Sequence, residues 1–96
     1  MADRNGTLVA DTVTMVTVEA ERIEVLNRSG DAEIWVCVGG AAPSVEDQDT
    51  NVFCLPAVAG AARVFSPGVN QQHGANDDWV VTLISDGTPA YSVQPL

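Results

Sequence analysis

One histidine occurs in the chain, His73, in the run Asn70-Gln71-Gln72-His73-Gly74-Ala75-Asn76-Asp77-Asp78. A hydrolase would use it as a general base, with Asp77 or Asp78 orienting the imidazole and a serine as nucleophile. The Gly-x-Ser-x-Gly turn that would present such a serine is missing. Amides, glycine and acids around His73 describe a solvated loop, so the expectation is a surface histidine and a protein that is not an enzyme. Glu46, Asp47, Asp49 and Asn51 form an acidic stretch in which Asp47-x-Asp49-x-Asn51 has the spacing found at the start of a calcium loop. The glycine and bidentate glutamate that complete such a loop are replaced by Val52 and Val58, so a solvated loop is expected and no metal site. Cys37, Cys54 and His73 lack zinc-ligand spacing and a fourth ligand. Gly39-Gly40 lacks the following Lys and Ser/Thr of a phosphate cradle. No cofactor is expected.

The remaining residues of chemical interest are apolar. Cys37 and Cys54 lie in strand-like runs and read as free thiols; a bridge would need facing positions on neighbouring strands. Trp35 and Trp79 could stack sugars or bases, but inside β-rich runs they read first as core or interface anchors.

Charge narrows the partners. Thirteen acids stand against four arginines (Arg4, Arg22, Arg28, Arg63) and no lysine, for a net charge of −9. Surfaces that hold nucleic acid or anionic lipid need clustered cations, so neither partner is expected. Such acidity suits solubility at high local concentration. Hydrophobic residues make up 46% of the 96 positions, which excludes a disordered tail and suggests one domain. No apolar run reaches the roughly 18–20 residues that span a bilayer. The opening Met-Ala-Asp-Arg-Asn-Gly-Thr has no apolar core of a signal peptide, so synthesis in a cytoplasm is expected.

Valine occurs 15 times, and Val, Ile and Thr together 25 times, which favours strands. Short apolar runs separated by Gly, Pro, Asn and Asp predict an all-β fold: a compact antiparallel β-sandwich or small barrel of about seven short strands. Residues 1–11 read as a partly mobile N-terminal arm and residues 12–96 as the single domain. Strands are expected at Thr12–Val18, Arg22–Asn27, Glu33–Val38, Asn51–Leu55, Ala62–Phe65, Trp79–Ile84 and Tyr91–Gln94. The turn residues Asn27-Arg28-Ser29-Gly30-Asp31 and Ser85-Asp86-Gly87-Thr88-Pro89 predict two hairpins, each joining the strands on either side. A phase slip between Met15 and Val16 predicts a bulge or a strand buried on both faces.

Two strands carry apolar residues on both faces. Ile34, Val36 and Val38 oppose Trp35 and Cys37; Trp79, Val81 and Leu83 oppose Val80 and Ile84. A lone sandwich strand should show one polar face. Either the N-terminal segment covers the second face or another subunit does, and Trp35, Cys37 and Trp79 are the candidate interface residues.

The order Ile23-Glu24-Val25-Leu26-Asn27-Arg28-Ser29-Gly30, then Glu33-Ile34-Trp35-Val36-x-Val38-Gly39-Gly40-x-x-Pro43, resembles small virion proteins of tailed bacteriophages of actinobacteria. Cys54-Leu55-Pro56-Ala57 and the ending Val81-Thr82-Leu83-Ile84-Ser85-x-Gly87-Thr88-Pro89-Ala90-Tyr91-Ser92-Val93 look like the same group. These are strand-and-turn patterns that cover roughly residues 20 to 94. The resemblance implies a capsid decoration protein: a β-rich domain that binds the major capsid protein on the outer face of the shell, as a homotrimer, and carries no catalytic residues. The alternative is a tail, fibre or other adhesion module, with glycan binding through Trp35 or Trp79.

Overall fold

The computed structural model describes residues 4–39, 42–48, 52–66 and 78–96. They form eight strands: β1 (Asn5–Thr7), β2 (Thr14–Glu19), β3 (Ile23–Asn27), β4 (Ile34–Val38), β5 (Val52–Leu55), β6 (Ala61–Phe65), β7 (Asp78–Ile84) and β8 (Ala90–Pro95). There is no helix among the described residues. The strands make two four-stranded antiparallel sheets packed face to face. Sheet A has the order β1-β8-β3-β6 and sheet B the order β2-β7-β4-β5. The expected all-β sandwich is therefore present, with eight strands instead of about seven.

The order is that of a jelly roll, in which nearly every connection crosses from one sheet to the other. Only β4 and β5 are both consecutive and paired. This corrects the two expected hairpins: β3 and β4 lie in different sheets, as do β7 and β8. Turn chemistry reverses the chain, but it does not choose the partner across the backbone. Asn27 shows how one corner is built. Its Oδ1 accepts from the Gly30 amide at 3.0 Å. Its Nδ2 donates to the carbonyls of Ala32 at 2.8 Å and Pro56 at 3.0 Å. The side chain is fully buried and ties the β3–β4 connection to the corner before β6. Gly30 has φ 72°, and a Cβ there would sit 2.2 Å from the Ala59 amide nitrogen, so no side chain fits.

The core lies between the sheets. Ile23, Val25, Phe65, Tyr91 and Val93 of sheet A meet Val16, Val18, Ile34, Val36, Leu55, Trp79, Val81 and Leu83 of sheet B. Leu8 joins them at 1% exposure. β1 pairs with β8, and the Leu8 amide donates to the Pro89 carbonyl. Within the segment read as an arm, residues 5–8 thus join the sandwich: Leu8, the residue after the last β1–β8 pair, Thr7↔Ala90, reaches the core. The expected bulge in β2 is corrected too. Its register with β7 runs unbroken from Thr14↔Leu83 to Glu19↔Asp78. Val16 and Val18 point inward, while Val13 and Met15 stay 42% and 44% exposed.

Candidate interaction surface

The three candidate interface residues sit on two faces. Trp79 points between the sheets, is fully buried, and donates from Nε1 to the Ala20 carbonyl at 2.8 Å. That bond satisfies the indole polar atom, so the ring is a core anchor. Trp35 and Cys37 point away from the core on the outer face of sheet B. Register places Trp35 beside Ile84 and Cys54, and Cys37 beside Thr82 and Val52. Directly opposed residues of an antiparallel pair share a face.

The outer face of sheet B is nonetheless dry at its centre. Trp35, Cys37, Thr82 and Ile84 are 5%, 3%, 0% and 7% exposed. None of them belongs to the cluster between the sheets. One copy of the chain therefore covers them itself, and none offers surface to a partner in this form. Of the N-terminal segment, β1 lies at the edge of sheet A and Leu8 lies in the core between the sheets. Pro43, in the connection from β4 to β5, is also buried. Burial here leaves the Thr82 Oγ1 without a hydrogen-bond partner, a cost of about 1–3 kcal/mol for a desolvated hydroxyl.

Neither cysteine is in a disulfide. They share the outer face of sheet B but are diagonal neighbours, because Cys37 faces Val52 and Cys54 faces Trp35. Cys54 is exposed, and its Sγ donates to Glu33 Oε2 at 3.2 Å. Partial burial, reinforced by the Glu33 carboxylate, pushes the thiol up to about 11. A thiol held protonated in this way is a poor nucleophile.

The other chemical expectations resolve unevenly. His73 and Asp77 lie outside the described residues, and only the backbone position of Asp78 is described, at the start of β7. Asp49 and Asn51 also lie outside them. Asp47 Oδ2 accepts from the Ser44 amide at 3.0 Å and from its hydroxyl at 3.3 Å, which closes a local turn. Among the described residues no cluster of His, Cys, Asp or Glu could hold a metal ion.

At the β5/β6 side the two edge strands are joined by a stack. Phe53 and Phe65 meet edge to face at 5.3 Å between centroids, and the Arg63 guanidinium lies 3.9 Å from the Phe53 centroid. Arg63 occupies an inward register position opposite Val25, which brings its guanidinium over the Phe53 ring. Every aromatic ring of the chain is thus buried or, for Phe53, half-buried with Arg63 over it.

Sequence reasoning did not single out the surface that is open. Large apolar side chains exposed in the structure are Val9 at 61%, Val13, Met15, Val58 at 60%, Val64 and Leu96. The first three cluster in sequence ahead of and within β2, an edge strand. The phase slip at Met15–Val16 was the signal: Val13 and Met15 alternate together, on the opposite face from Val16 and Val18. Comparison with family models, with curated proteins and with solved structures finds no match to the chain.

Proposed function

We propose that this chain is a structural protein of a tailed-phage virion, a decoration module on the outer face of the assembled shell. The observation that carries the reading is the strand order, β1-β8-β3-β6 over β2-β7-β4-β5. Jelly rolls of this kind serve as viral capsid and lectin domains. Fold alone does not select between those uses; the surface supports the first. Stacking a sugar ring needs an exposed aromatic face, and Trp35, Trp79, Tyr91 and Phe65 are all buried. A net charge of −9 suits a coat whose neighbouring copies repel rather than aggregate. The resemblance of the 23–43 and 81–93 segments to actinobacteriophage virion proteins points the same way. It also implies the major capsid protein as partner, a trimer as the bound form, and binding instead of catalysis.

Copy number in purified particles tests the reading, measured by quantitative mass spectrometry against the major shell protein. A stoichiometry near that of the shell protein is expected. A handful of copies per particle would move the protein to the tail, and absence from particles would overturn the virion reading.

A further inference from the structure

The sandwich has four edge strands, and three of them carry a device that discourages further pairing. β1 is only three residues long. β5 has four residues and is stopped by Pro56. β6 carries Arg63 at its centre. Short strands, proline and central charge are the usual protections of a sheet edge. β2 has none of them. It runs for six residues, Thr14-Met15-Val16-Thr17-Val18-Glu19, with no proline, glycine or bulge and no charge before its last residue. It has β7 on one side and no strand on the other among the described residues. Val9 and Val13, in the connection that leads into β2, and Met15 within it are exposed.

We infer that β2 is a docking edge for an extended segment of another protein, which adds as a fifth strand to sheet B. Backbone N–H and C=O groups on the free flank supply the affinity, and Val13 and Met15 receive the apolar side chains of one face of the incoming strand. Charge selects the occupant. Asp11 stands at one end of β2, and Glu19 and Glu21 at the other, all exposed. Arg22 is the one cation from Asn5 to Arg22. A segment with basic residues flanking an apolar, β-branched centre complements these ends. A second copy of this chain does not. Edge-to-edge pairing of two copies joins chains that each carry a net charge of −9, and that repulsion disfavours it. The inference is independent of the virion reading, since it concerns the chemistry of the edge and not the identity of the donor.

Fluorescence anisotropy on the full chain tests it, with a labelled synthetic peptide of alternating valine and threonine closed by arginine at both ends. Saturable binding is expected, weakened by about tenfold or more when the terminal arginines become glutamates. Met15→Lys, at an exposed position, should weaken the arginine peptide by about tenfold or more. Val64→Lys on the β6 edge should leave it unchanged. Hydrogen exchange of the β2 amides should slow on peptide addition, which separates docking from loss of fold. Absence of saturable binding overturns the inference, as does equal affinity for the two peptides. A concentration-dependent dimer abolished by Met15→Lys would also overturn it, by assigning the edge to a second copy.

Discussion

On sheet A the outward positions Asn5, Thr7, Ala62, Val64 and Gln94 are open to solvent, Glu24, Leu26 and Ala90 are half-buried, and Ser92 is buried with its hydroxyl donating to Asn5 Oδ1. On sheet B the outward positions Trp35, Cys37, Thr82 and Ile84 of the central strands are buried and Val80 is half-buried. The two sheets share one core and have equal strand numbers, yet only sheet A is a conventional half-solvated antiparallel sheet. Sheet B carries a second apolar layer on its far side. A small domain gains from this, because a single inter-sheet core buries little area per residue at this size. The gain is imperfect: a threonine hydroxyl is sealed in that layer with no partner.

The sharpest way to break the comparison is to truncate one outward residue on each sheet. Trp35→Ala should cost about 3 kcal/mol, in line with losing a large buried aromatic. Val64→Ala, at 46% exposure on the outer side of sheet A, should stay within about 0.5 kcal/mol. Urea denaturation of the two variants measures both. Equal, small losses would mean that the covering layer on sheet B opens freely and contributes little.

A smaller effect of opposite sign tests the same layer. Thr82→Val removes the unpartnered hydroxyl while keeping the branched shape, and should raise stability by about 1 kcal/mol. If the variant is destabilised, the hydroxyl has a partner in solution and the layer is wetter than the structure shows.

The smallest effect concerns the rim of that face, where Cys54 is exposed and Trp35, its cross-strand neighbour, is buried. Cys54 in the folded chain should alkylate with iodoacetamide at pH 8 at least about tenfold more slowly than an unstructured cysteine. Glu33→Gln should recover part of the rate, since the carboxylate both accepts the thiol proton and repels the thiolate. The linkage follows in sign. Between the ordinary value of 9.0 and the folded value of about 11, the unfolded chain releases the proton and the folded chain keeps it. Stability therefore falls as pH rises through that window and is unaffected by this group below it. Alkylation as fast as in the unfolded chain would show that the Glu33 contact does not form.

How much of this was legible can be argued from particular residues. Alternation in Ile34-Trp35-Val36-Cys37-Val38 and in Trp79-Val80-Val81-Thr82-Leu83 assigned each side chain to the face where the structure places it. The strands from Ile23 to Leu55 were expected within a residue of their observed ends. β1 was missed because Asn5-Gly6-Thr7 has no apolar alternation; it becomes a strand through pairing with β8 and the burial of Leu8. The docking edge was visible only as an unexplained phase slip at Met15. Both expected hairpins failed for one reason: a Ser/Gly/Asp turn specifies reversal of the chain, and corners between sheets and tight hairpins use the same residues.

By itself the sequence determined the local quantities: which segments extend, which side chain points to which face, where glycine and asparagine turn the chain, and the excess of negative charge. Each depends on neighbours within a few residues, so period and composition suffice. Tertiary structure alone decided which strands pair, that Trp35 and Cys37 are covered by their own chain, and that β2 is, among the described residues, the one edge without a protecting device. Those outcomes join residues as distant as Asn5 and Ser92. They follow from the joint burial of both sheets, which no local pattern encodes.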